Sequence, residues 1–143
     1  MKTIRPQTSK GPAAWFTGDV HPTIVLAGET PSRVRMGSVH FAPCARTAWH
    51  SHALGQYLHI KEGTALVQER NGAVQVLRPG DTIYTAPGVE HWHGASPDSF
   101  MVHLAIWEAP VPGSDEPETS WGEHVTDDEY QPKTKEREST DLK

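Results

Sequence analysis

Two short clusters hold most of the chemistry this chain can do: His50-Ser51-His52 with Gln56 close behind, and His91-Trp92-His93 further along. In each, the histidines are spaced i, i+2, and on a β-strand that spacing turns both side chains to one face. Imidazole is the commonest metal ligand among side chains, and an amide oxygen can complete such a shell. Three imidazoles and one amide oxygen, from His50, His52, His91 and Gln56, make a four-ligand set with positions left open for substrate. A nitrogen-rich set of this kind suits Mn, Fe, Co, Ni, Cu or Zn, and residue types alone do not choose among them.

Other polar residues fall around this set by strand parity. His93 shares the inward face of His91. His103 shares a face with Met101, Ala105 and Trp107 on a later strand, whose other face carries Phe100, Val102, Leu104 and Ile106. Both faces of that strand are apolar, which predicts burial on both sides, the outer one under a second subunit or the N-terminal segment. A histidine in an apolar pocket beside a cation stays neutral, and neutral imidazole is a competent general base near pH 7. Thr47, just ahead of His50, is placed to hydrogen-bond a substrate hydroxyl. His59 falls on the face opposite Gln56, and His40 lies opposite Val39 and Phe41, so both are expected outside or at an interface. Trp15, Phe16, Trp121 and Tyr130 are expected to be packing anchors for the two ends. Cys44 has no charged partner in sequence, and a nucleophilic role is not assigned to it.

The elements that must position these groups are short strands. Candidates run from Gly37 to Ala42, Thr47 to His52, Gln56 to Ile60, Thr64 to Glu69, Ala73 to Leu77, Asp81 to Thr85, His91 to Ala95 and Phe100 to Trp107. An apolar run from Thr23 to Ala27 precedes them. Asn71-Gly72 reads as a type I′ hairpin turn, and Lys61-Glu62-Gly63, Arg78-Pro79-Gly80 and Ala86-Pro87-Gly88 read as further turns. Strands at this spacing predict an all-β sandwich or barrel. Ala109 to Thr119, rich in Pro, Gly and acids, is expected to be a loop. Thr126 followed by Glu129 predicts the cap of a short helix ending near Tyr130. The expected organisation is a flexible N-terminus over residues 1–10, a barrel with its N-terminal strand segment over 11–109, a loop and short helix over 110–130, and a disordered tail over 131–143.

The chain has 143 residues, enough for one domain with its own core, and its formal net charge is −5. With a pI near 5.9, neither nucleic acid nor an anionic membrane is expected as a partner. No apolar stretch approaches the roughly 20 residues of a membrane span, and Met1 to Lys10 carries no apolar signal region. A single cysteine forms no internal disulfide, and the expected location is cytoplasmic.

The motifs resemble those of a small single-domain cupin. The first cupin motif is met by His50, His52, Gln56 and Gly63, with Cys44 where the leading glycine is expected and Gln56 in place of the usual glutamate. The second is met by Gly80, Gly88 and His91, with Ala86 in the proline position and Ala95 in that of the asparagine. A closer likeness extends over roughly residues 11–130 to bacterial manganese-dependent cupin hydroxynitrile lyases. It is carried by Gly11-Pro12-Ala13-Ala14-Trp15-Phe16-Thr17-Gly18, Ala45-Arg46-Thr47-Ala48-Trp49-His50, Glu90-His91-Trp92-His93-Gly94-Ala95, His103-Leu104-Ala105-Ile106 and Glu123-His124-Val125-Thr126-Asp127.

The resemblance implies a jelly-roll-like barrel (a double-stranded β-helix) with a short terminal helix, and a homodimer or higher homo-oligomer. It implies a divalent metal, Mn2+ foremost, with Fe2+, Zn2+, Ni2+, Co2+ and Cu2+ as alternatives. It further implies a small-molecule substrate, a cyanohydrin, aldehyde or similar carbonyl compound, with His103 as base, His93 as its auxiliary and Thr47 orienting the hydroxyl. Trp107 stands where those lyases carry a smaller polar residue, which should narrow the pocket and change substrate preference. A metal-dependent dioxygenase or oxidase, and a non-catalytic small-molecule-binding cupin, are the competing readings. Elemental analysis of the purified chain is expected to find a divalent transition metal; a chain that neither carries nor takes up such a metal removes the central reading.

Overall fold

The computed structural model describes residues 1–130; the expected tail over 131–143 lies outside the described residues. The strands are β1 (Phe16–Thr17), β2 (Val20–Leu26), β3 (Val34–Phe41), β4 (Arg46–Thr47), β5 (His50–His52), β6 (Gln56–Gly63), β7 (Ala65–Glu69), β8 (Gln75–Leu77), β9 (Thr82–Thr85), β10 (His91–Ala95), β11 (Met101–Glu108) and β12 (Thr119–Trp121). They form two antiparallel sheets. One has the order β2-β3-β11-β6-β9; the other runs β1-β4-β10-β5-β12, with β7 on the far side of β10 and β8 beyond it. The only helix among the described residues, α1, spans residues 127–130. Thr126 caps it as expected: the Thr126 hydroxyl accepts from the Glu129 amide, and the Glu129 carboxylate accepts from the Thr126 amide.

Three local expectations are corrected. The strand expected from Thr47 to His52 is two strands. The Ala48 amide donates to the Trp15 carbonyl and the Trp49 amide to the Glu123 carbonyl, so this stretch of ladder is given over to the two ends of the chain. The Asn71-Gly72 hairpin is not a type I′ turn: Asn71 has φ 64, but Gly72 is not in the positive-φ region that turn requires at both positions. Instead the Gly72 amide donates to the Glu69 carbonyl and the Gln68 side chain to the Gly72 carbonyl, making a wider loop. Finally, Thr119 is not the end of a loop but the start of β12, paired to β5 with Thr119 opposite His52 and Trp121 opposite His50. At the other end, Thr8 bridges Thr23 and the Ser9 amide donates to the Pro22 carbonyl, so this part of the N-terminal segment runs beside β2.

Strand parity sets two cores. Between the sheets, Val20, Phe41, Ala45, Ile60, Ala65, Ala95 and Met101 pack together. On the outer face of β10, Trp92 packs with Trp49, Leu66, Val74, Val125 and Tyr130. A buried aromatic of this size removes about 200 Å² from water, on the order of 5 kcal/mol at ~25 cal/mol per Å². That burial holds the C-terminal segment to the barrel and commits the other face of β10, with His91 and His93, to the interior. Gly94 permits the close crossing of β10 over β4: a Cβ there would stand 2.5 Å from the Ala45 carbonyl oxygen and 2.6 Å from Arg46 Cβ. Cys44, at the expected glycine position of the first motif, has φ 70, the backbone geometry for which glycine is preferred.

Arg46 fastens the C-terminal segment. Its guanidinium is buried, donates twice to the Val125 carbonyl at 3.2 and 2.7 Å, and lies 4.6 Å over the Tyr130 ring. It also reaches Asp127, whose side chain is 89% exposed. Arg46→Ala is therefore expected to cost about 3 kcal/mol in urea unfolding, because the buried carbonyl loses its donors and the ring its cation. Asp127→Ala is expected to stay within about 0.5 kcal/mol; equal losses from the two would mean that the ion pair is the anchor.

Candidate metal centre

Each cluster is delivered by a strand whose alternation points its histidines inward. His50 and His52 sit on β5, Gln56 opens β6, His91 and His93 sit on β10, and His103 sits on β11. All six are buried, and His91 pairs directly with His50 across the sheet. Five neutral imidazoles are thereby gathered around one point, with ring centroids 4.3 Å apart for His50 and His91, 5.0 Å for His50 and His52, and 4.8 Å for His93 and His103.

The hydrogen bonds divide these rings into two kinds. The Nδ1 of His50 donates to the Ala48 carbonyl at 2.8 Å, and that of His91 to the Val89 carbonyl at 3.1 Å. The Nδ1 of His52 meets the Thr119 hydroxyl at 3.2 Å, and its Nε2 is buried without a partner. His93 and His103 instead bond each other, Nδ1 to Nε2, at 3.1 Å; the outer nitrogens, His93 Nε2 and His103 Nδ1, are buried and unpartnered.

The donor set fits a cation. With its Nδ1 proton spent on Val89, neutral His91 presents a lone pair at Nε2, and Gln56 Oε1 stands 3.4 Å away. Two acceptors facing each other are relieved by a positive ion between them. Among the described residues, one group of histidine nitrogens lies within 4.8 Å of one another, contributed by His50, His91 and His93. It shares two members with the set singled out from spacing and holds His93 where that set holds His52.

A cavity of about 440 Å³ opens onto this cluster. Thr47, His50, His52, Gln56, His93 and His103 supply its polar floor; Val39, Phe41, Ala105 and Trp107 supply apolar wall. The Thr47 hydroxyl accepts from the His93 amide at 3.2 Å. Two expectations change here. Trp15, Phe16 and Trp121 are not only end anchors: all three line the cavity, and Trp121 stacks 4.7 Å over His50 and 4.9 Å from Trp15. Glu118 and Thr119, expected in a loop, also line it. Glu118 accepts from Trp107 Nε1 at 3.0 Å and pairs with Arg35. A three-residue strand after a Pro/Gly-rich stretch leaves too short an alternation to be read in sequence. Tyr130 is an anchor as expected, and the remaining histidines stay out of the site: His40 is exposed and stacks on Phe100, and His59 bonds Thr82.

Burial keeps every ring of the site neutral. It lowers His103 to about 4 and, with the neighbouring His91, lowers His52 to about 3. Burial also lowers His91, and it holds His50 and His93 well below the ordinary histidine value, with further lowering by neighbouring rings. In the unfolded chain these histidines protonate near pH 6.5, so between there and the folded values the unfolded state binds more protons. The metal-free protein is therefore expected to be most stable above about pH 6.5. It should lose urea-unfolding free energy as pH falls toward 4, by up to about 1.4 kcal/mol per pH unit for each histidine. A flat profile over that interval would show that the rings are hydrated.

Comparison with known proteins agrees with the architecture. The sequence profile of the cupin domain matches residues 37–107. The chain is 45% identical over 131 residues to the (R)-mandelonitrile lyase of Granulicella tundricola, covering 91% of this chain and 97% of that protein. A cupin-like protein from Thermotoga maritima superposes with a TM-score of 0.80 at 34% identity, covering 92% of this chain and 97% of the other. The polyketide cyclase from Streptomyces resistomycificus shares the fold at a TM-score of 0.65 and 16% identity, over 92% of this chain and 91% of the other. With inward histidine pairs on β5 and β10 of a two-sheet barrel, and with these relatives, the chain belongs to the cupin family.

Proposed function

We propose that the chain is a metal-dependent lyase that cleaves and forms cyanohydrins, with His50, His52, Gln56 and His91 holding a divalent transition metal, Mn2+ first among Fe2+, Zn2+, Ni2+, Co2+ and Cu2+. The observation that carries the ligand set is the wiring of the three histidines. Each has its Nδ1 engaged from behind, by Ala48, Thr119 or Val89, an arrangement that leaves Nε2 for a metal. His93 spends its Nδ1 on His103 and so belongs with the proton-handling pair. The relative named (R)-mandelonitrile lyase supports the reaction class.

The bound metal would supply Lewis acidity toward a substrate oxygen on which negative charge develops. The remaining steps fall to the chain. Thr47 has its oxygen occupied by the His93 amide, so its own hydrogen is free to donate to the substrate hydroxyl oxygen and orient it. The neutral His93–His103 pair takes the hydroxyl proton. The O–H electron pair becomes the second bond of the aldehyde carbonyl, the C–CN bond breaks, and its electrons leave with cyanide. The same pair then returns the proton to cyanide, releasing hydrogen cyanide, and the reverse sequence forms the cyanohydrin. The apolar wall with Trp107 accepts the substituent and keeps water from the reacting carbon. A homodimer or higher homo-oligomer belongs to this reading, since Leu104 and Ile106 are half-buried on an outer face shared with exposed Tyr57 and Tyr84.

Mandelonitrile cleavage, followed by cyanide release, is expected to run equally with and without oxygen; a requirement for oxygen would favour the oxidase reading. His103→Ala should lower kcat/KM by about 10²–10⁴ while retaining metal. His52→Ala should bind metal measurably more weakly, and His93→Ala should bind it as the wild type does. The reverse outcome for the last two would assign His93 as the ligand, and cyanide release no faster in the wild type than in His103→Ala would end the lyase mechanism.

A further inference from the structure

We infer that the C-terminal strand β12 completes the metal centre, with Thr119 positioning His52. The inference rests on the ligand set proposed above and concerns how one member of it is held. His50 and His91 are each held by the backbone carbonyl two residues earlier in their own strand approach, Ala48 and Val89. No side-chain substitution removes those acceptors. For His52 the Nδ1 partner is instead a side-chain hydroxyl, that of Thr119, 67 residues away in sequence.

Neutral imidazole has one proton and two tautomers. If Thr119 accepts the proton at Nδ1, the buried and unpartnered Nε2 is a lone pair and can bind a metal. Without that acceptor, Nδ1–H is stranded in the interior, or the proton moves to Nε2 and blocks the ligand atom. The strand that brings Thr119 is fixed on both sides of it. The Ala53 amide donates to the Glu118 carbonyl at 3.0 Å and the Gly122 amide to the Trp49 carbonyl at 2.7 Å. The Glu118 side chain is tied to Arg35, and Trp121 stacks on His50. The segment after the barrel is thus a strap that carries part of the site's wiring.

The test is Mn2+ affinity, read from the EPR signal of free Mn2+ in competition with a chelator. Thr119→Val keeps the shape and removes the acceptor; it is expected to weaken Mn2+ binding about 10–100-fold. Thr119→Ser should restore wild-type affinity, which a purely packing role for the threonine would not explain, and Thr119→Ala serves if the valine variant fails to fold. In a His52→Ala background, Thr119→Val should add nothing. Wild-type affinity in Thr119→Val and Thr119→Ala, or an undiminished further loss in the His52→Ala background, overturns the inference while leaving the ligand set in place. No Mn2+ binding by the wild type, or unchanged binding by His52→Ala, overturns the ligand set and the inference with it.

Discussion

Five imidazoles cannot be buried side by side as cations. In His50, His52, His91, His93 and His103 burial favours the neutral ring, and in His50, His52 and His93 the neighbouring rings push the same way. Neutrality then has its own requirement, because each ring has one N–H to place and one lone pair to use. The site is the solution to that accounting. Ala48, Val89 and Thr119 engage three Nδ1 atoms, the His93–His103 bond uses two nitrogens more, and the atoms left over face the interior. Rings engaged at Nδ1 from behind and a pair of rings bonded to each other are two answers to the same burial problem, set next to each other.

The barrel exists around that cluster because β-strands sort side chains with period two. On β10 the alternation gives His91 and His93 to the inside and Trp92 to the outside, where Tyr130 and Val125 cover it. The two faces depend on each other: the apolar packing of Trp92 fixes the strand's rotation, and the strand's rotation aims the histidines. The tight crossing at Gly94 brings β4 close enough for Thr47 to meet the His93 amide. The C-terminal segment, fastened by Arg46 and capped at Thr126, is thereby coupled to the site at both Trp92 and Thr119.

Much of this was legible from residue types and spacing. The inward pairs His50/His52 and His91/His93, the placement of Gln56 at the head of β6, the all-β architecture and the Thr126–Glu129 cap all follow from local periodicity and local hydrogen bonding. Those signals survive in sequence because the residues that make them are neighbours in the chain. The outward placement of His40 and His59 follows from the same parity. The break between β4 and β5 was hidden, because it is made by Trp15 and Glu123, which approach from the chain's two ends. The Asn71-Gly72 turn misled, because Gln68 reaches across to the Gly72 carbonyl and holds a wider loop.

By itself, then, the sequence determined which residues face inward together, and with them the chemistry available: imidazole, amide and hydroxyl in an apolar barrel. Tertiary structure alone decided the wiring. It placed Thr119 against His52, joined His93 to His103 and brought Trp121 over His50. Parity is a property of one strand and is written in consecutive residues. A hydrogen bond between residues 67 apart depends on how strands are ordered in the sheet, and no local pattern encodes that. Which nitrogen of each ring meets a partner, and which is left over, is settled only when the strands pack.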